Sequence, residues 1–205
     1  MIIKNIAKLV KKSGRAVLWM DETRAVQWIS NGSACWALFG MPMLDADNVL
    51  TALDIPEKDW EKIIVSELDE APAALDFGDM VDGEEQLKDP VLSLSYGGSL
   101  LLPLMAAEGL ILADPDLFRP LRDVDQLTVH VRQDTEGGRY LAVKGGMLLQ
   151  AIVMPKDLNT YRALPEILHT LAVGLEDSLA KLAAAPEENE DQMSIDPETG
   201  EVIED

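Results

Sequence analysis

The sequence predicts an α+β fold in which an αβββ module occurs twice with antiparallel sheets, followed by a C-terminal helix and a disordered acidic tail. Three observations predict it. Residues 15–42 and 126–155 each alternate apolar and polar positions around short turns, and each stretch follows a segment with helical spacing. Each also ends in Met-Pro, at Met41-Pro42 and Met154-Pro155. Independent segments have little reason to agree on order, hairpin length and ending, so a repeat accounts for them more simply.

In the first copy, residues 3–13 put Ile3, Ile6, Val10 and, at the margin, Leu9 on one side of a helix, with Lys4, Lys8, Lys11 and Arg15 along another and Lys12 beside them. The helix thus has an apolar face for a sheet and a cationic face that suits a phosphate backbone or plain solvation. Residues 15–21 and 24–29 read as a hairpin, Asn31-Gly32 as a turn and 34–40 as a third strand. Trp19, Trp28 and Trp36 fall in these strands. Trp28 and Trp36 are expected to pack on one sheet face as structural aromatics, not as platforms for bases.

Residues 44–70 read as short helical pieces, one capped by Asp45 and running through Leu53, the next opening at Pro56-Glu57 and carrying Trp60, Ile63 and Ile64. From 69 to 89 apolar density falls and Asp, Glu, Gly and Pro dominate, which predicts a mobile surface connection between the copies. Its DMVDGEEQ stretch lacks the alternating oxygen ligands of a calcium loop.

In the second copy, residues 91–96 and 99–104 form a hairpin, and the run Leu100, Leu101 and Leu102 predicts a strand covered on both faces. Residues 115–124 carry Leu117, Phe118, Leu121 and Val124 at helical spacing, with Asp114 as N-cap and Pro115 at the first helical position. Three strands follow, with turns at Gly137-Gly138 and Gly145-Gly146 and a stop at Pro155, which cannot donate to a ladder. Beyond it, Leu164, Ile167, Leu168, Leu171, Leu175, Leu179 and Leu182 recur at three and four residues, the mark of an amphipathic helix that packs on its own sheet or on another chain.

Composition narrows the function classes. The net charge of −20 is unevenly placed: residues 44–90 carry fifteen acids against three lysines, residues 186–205 nine acids and no base, and the remainder is close to neutral. An acidic pI therefore does not by itself exclude a polyanionic partner. The lone Cys35 cannot form an internal disulfide and reads as a buried reduced thiol, which with the absence of any long apolar run points to a cytoplasmic protein with no membrane partner. His130 and His169 have no second ligand at metal spacing, and the double glycines lead into strands, not into a helix N-terminus that could cradle phosphate. No catalytic residue, cofactor or small-molecule substrate is expected, and the chain reads as a non-enzymatic binding protein.

The stretch GLILADPDLFRPLRDVDQLTVHVRQDTEGGRYLAVKGGMLLQAIVMPKDL resembles one half-domain of a bacterial DNA polymerase sliding clamp in its strand, helix and three strands and its closing Met-Pro strand. The resemblance implies a processivity-type domain over residues 1–158, as in a phage or mobile-element relative, with halves at 1–43 and 91–158 joined by the acidic connector 44–90. The helix region 159–185 and the tail 186–205 lie outside it. It further implies that Lys4, Lys8, Lys11, Lys12, Arg15, Arg119 and Arg122 face duplex DNA, that Val153, Met154 and Pro155 help receive replication proteins, and that a chain with one domain assembles as a homo-oligomer or else binds as an open, ring-less relative. The competing expectation is an interaction module with no nucleic acid, which uses the leucine-rich hairpin and the C-terminal helix through Leu168, Leu171 and Leu175.

Overall fold

The first helix, α1 (Ile3–Ser13), buries Ile6, Ala7, Leu9 and Val10 and leaves its lysines outside, as the spacing predicts. It stops at Gly14, whose left-handed backbone (φ 67°) lets its N–H reach the Val10 carbonyl at 2.8 Å. A Cβ there would come within 2.9 Å of the Lys62 carbonyl oxygen, so only glycine fits the helix end. The chain then forms an antiparallel meander of β1 (Arg15–Asp21), β2 (Val26–Ser30) and β3 (Ala34–Ala37). The Asn31 side chain closes the second turn by accepting from the Ser33 and Ala34 amides. The computed structural model describes residues 1–88, 90, 92–184, 194–195 and 202–203, with side chains through 181, and divides into units Met1–Thr160 and Tyr161–Asp205.

After β3 the sequence expectation holds only in part. The short helix α2 (Val49–Ala52) follows Asp45, whose carboxylate accepts from the Asp47 and Asn48 amides, and a 3₁₀ helix spans Glu57–Lys62. Ile64, however, is not helical: it opens β4 (Ile64–Leu68), which runs parallel to β1 in a register pairing Arg15 with Ile64 and Trp19 with Leu68. The Gly14 carbonyl accepts from Ile64 N–H at 2.9 Å, and the β-branched run Ile63-Ile64-Val65 continues along the open edge of β1.

The largest departure concerns residues 69–84, which form a pinned strap and not a free connection. Phe77 is buried between Trp19 and Trp28, Arg24 pairs with Asp79 at 2.6 Å, and the Tyr140 hydroxyl accepts from the Asp76 amide. Arg132 donates to the main-chain carbonyls of Asp76 and Gly78 at 3.0 and 2.9 Å. An aromatic wedge and buried guanidinium contacts hold the segment despite its acidity.

The strap leads into β5 (Glu85–Gln86). A separate three-stranded antiparallel sheet follows, made of β6 (Leu94–Tyr96), β7 (Ser99–Ala106) and β8 (Gly109–Ala113). On β7 Leu101 and Leu104 are buried although they point to opposite faces of the strand, while Leu100 and Met105 are exposed, so each face is covered along only part of its length. Asp114 caps the next element by accepting from the Asp116 amide, but residues 115–121 wind as a 3₁₀ helix (Pro115–Leu121) that contains Pro120 and ends short of Val124. The strands β9 (Leu127–Gln133), β10 (Arg139–Gly145) and β11 (Leu148–Val153) complete a second meander.

The two meanders join through β3 and β11, with Ala34, Cys35 and Trp36 opposite Val153, Ile152 and Ala151. One mixed eight-stranded sheet results, in the order β4-β1-β2-β3-β11-β10-β9-β5. Side-chain alternation divides its core between two faces. On one, α1 and the Pro115–Leu121 helix pack through Ile6, Val10, Leu117 and Leu121 against Leu18, Ile29, Trp36, Leu141 and Val143; on the other, Phe77 of the strap covers Trp19, Trp28, Tyr140 and Ile152. Trp28 and Trp36 therefore lie on opposite faces, because Ile29, one residue along, is the register partner of Trp36.

The second unit contains α3 (Leu164–Ala184), the helix expected from the leucine spacing, and a short antiparallel pair, β12 (Ser194–Ile195) with β13 (Val202–Ile203). Most of the expected acidic tail, 186–205, falls outside the described residues. No helix among the described residues is long and apolar enough to cross a membrane.

Candidate nucleic-acid interface

The surface singled out by charge is made by α1 and the Pro115–Leu121 helix. The two are tied together: Ile2 N–H donates to the Pro120 carbonyl at 2.7 Å, the Asn5 side-chain amide donates to the Arg119 carbonyl at 2.9 Å, and the N-terminal ammonium pairs with Asp123 at 2.9 Å. Trp36 adds a tie from the sheet, its indole N–H donating to the Leu117 carbonyl at 3.2 Å. Lys4, Lys8, Lys11, Lys12, Arg15, Arg119 and Arg122 are all exposed on these segments or at their ends.

Acids from distant parts of the chain temper this face. Asp116 stands between Arg119 (3.0 Å) and Lys12 (3.5 Å), and Asp59 takes Lys11 at 2.7 Å and Lys62 at 3.3 Å. The hydrogen bond from Lys11 holds the Asp59 carboxyl below its usual value, against an opposing push from burial; the N-terminal ammonium does the same for Asp123. Lys4, Lys8, Arg15 and Arg122 have no ion-pair partner among the described residues. They are the cations free to meet an incoming anion without first losing a carboxylate.

The residues expected to receive a partner separate. Val153 is buried in the β3–β11 seam and offers no surface, because its backbone pairs with Ala34 and its side chain points into the helix-side core. Met154 and Pro155 line a cleft of about 750 Å³ with Lys12, Asn31, Ser99 and Asp116. Leu171 and Leu175 are exposed on α3, and Leu168 is half-buried.

A cluster that sequence reasoning missed lies on the opposite sheet face. Glu84 accepts from Arg132 Nε at 2.8 Å and pairs with Lys144, both cations being buried, while His130 Nδ1 sits 3.7 Å from the same carboxylate. Burial alone would push the Glu84 carboxyl up, but the hydrogen bonds from Lys144 and Arg132 outweigh it and hold it below its ordinary value. Burial, followed by the charge of Lys144, holds the His130 imidazole below its ordinary value. With Arg132 committed to strap carbonyls, this cluster fastens the strap. Phe77, the one aromatic between residues 69 and 89, is the signal in the sequence that the expectation of a mobile connection passed over. Among the described residues no group of three or more His, Cys, Asp or Glu is placed to hold a metal ion. Compared with protein-family models, curated proteins and solved structures, the chain matches none.

Proposed function

We propose that the chain is a non-enzymatic, DNA-associated accessory protein of the sliding-clamp kind, which holds duplex DNA through phosphate contacts from α1 and the Pro115–Leu121 helix. One relationship carries the reading: two helical segments stand side by side on one face of a continuous sheet whose meanders meet at the β3–β11 seam. In this reading each segment with its meander is one copy of the αβββ module, and the pair makes a clamp-type domain. The strap supports it, since residues 69–84 keep their acids on the face away from the helices. Unpaired cations at helical spacing suit a backbone with no sequence preference, and replication proteins would dock beside Met154 and Pro155.

The test is anisotropy of a short labelled duplex across a salt series. Binding should weaken steeply with salt, and Lys8→Glu should lower affinity and reduce the slope of log K against log salt by about 1, while Lys88→Glu on the connector leaves both unchanged. A flat titration at low salt would overturn the proposal. It would favour the second reading, an interaction module without nucleic acid, which has one observation on its side: Asp59 and Asp116 already neutralise Lys11, Lys12 and Arg119.

A further inference from the structure

We infer that α3 is a self-association helix whose leucine stripe docks against α3 of other copies of this chain. Leu168, Leu171, Leu175 and Ser178 follow one another at spacings of three, four and three residues, with Leu182 four further along the sequence, the heptad spacing of helices that wind around each other. Leu164, one step before them, is already buried. A seam with this period is complementary to itself, because a second copy supplies the same knobs and holes. Leu171 is 64% exposed and Leu175 61%, and Ile167 and Leu179 beside the seam are exposed as well.

Charge placement points to the same occupant. The acids Glu166, Glu176 and Asp177 all fall at outer heptad positions, so copies of a strongly acidic chain can meet along this stripe without opposing carboxylates. The same acids disfavour a nucleic acid or an anionic lipid surface along the helix. Ser178, the one polar seam residue, donates its hydroxyl to the Gly174 carbonyl at 2.7 Å, so it enters an interface with that donor already satisfied. The exposed parts of Ile167, Leu171, Leu175 and Leu179 amount to on the order of 400 Å² per copy, so a pair approaches the roughly 1,000 Å² that a specific interface needs. A bundle in which each helix touches two neighbours exceeds it. The inference stands whether or not unit 1 binds DNA.

Light scattering of the full chain tests it. The expected mass is a multiple of 22.5 kDa, and the double variant Leu171→Glu/Leu175→Glu should return the single-chain mass. Leu171→Ala/Leu175→Ala, which preserves helix propensity, should shift dissociation to at least tenfold higher concentration. Leu100→Glu on β7 is the control and keeps the parent mass. All four tryptophans lie in unit 1, so their fluorescence reports that each variant remains folded there. A parent chain that stays at 22.5 kDa at ~100 µM, where even weak specific contacts form, overturns the inference. So do α3 variants that keep the parent's mass, or a Leu100→Glu variant that dissociates.

Discussion

The Phe77 ring meets Trp28 edge to face, centroids 5.0 Å apart and planes inclined by 72°, and it meets Trp19 in the same way at 5.6 Å. One strap residue therefore seals two tryptophans that would otherwise leave apolar area open on the sheet. Phe77→Ala should lower the free energy of unfolding by about 3 kcal/mol, the lower end for a buried phenylalanine because the strap can settle inward. Urea unfolding followed by tryptophan fluorescence measures it, and limited proteolysis should begin to cut between residues 69 and 84. Met80→Ala, at an exposed strap position, should stay within about 0.5 kcal/mol of the parent. Equal stability of the two variants would mean that the strap contributes little.

The Glu84 cluster makes the strap sensitive to acid. Glu84 titrates below its ordinary value in the folded chain, so the stability it adds is present above that ordinary value and is lost as pH falls through the folded one. His130 also titrates low, so below about pH 6.5 the unfolded chain takes up a proton that the folded chain resists. Both effects have one sign: stability falls as pH falls, first through His130 and then through Glu84. Protonated His130 would stand beside Arg132 and Lys144, with Glu84 the one carboxylate facing them in the cluster. Unfolding measured from pH 8 to pH 4 should show a decline that His130→Gln flattens at its upper end. Glu84→Gln should cost about 3 kcal/mol at neutral pH by leaving two buried cations without their carboxylate. A pH profile unchanged in both variants would remove the cluster from the account.

The same residues show where sequence reasoning stops. The bounds of α1 and β1 follow from local periodicity, and Asp114 was legible as a cap because a cap is a contact between neighbours in sequence. Arg132 and Lys144 look solvated from their alternation, since nothing within their strands says that residues 69–84 lie over them. The parallel β4 was hidden for the same reason: its ladder depends on the free edge of β1, some fifty residues earlier in the chain. At the candidate interface, helical spacing revealed Lys8 and Lys11 alike. That Lys11 is held by Asp59 while Lys8 has no ion-pair partner among the described residues depends on where a separate 3₁₀ helix lands.

Cys35 lies in the β3–β11 seam opposite Ile152, buried on the strap face beside Trp28 and Leu149. Burial pushes its thiol up to about 12, against a smaller opposing effect of a backbone hydrogen bond involving Ile152. Since the thiolate is the reactive form, the folded chain at pH 8 should resist disulfide exchange reagents that label it at once in denaturant. The labelling rate then reports how often the seam opens. Phe77→Ala, which uncovers that face, should raise the rate at pH 8, whereas Lys8→Glu, on the other side of the sheet, should leave it unchanged. Fast labelling of the parent chain under native conditions would mean that the seam opens readily and that the two meanders do not behave as one sheet.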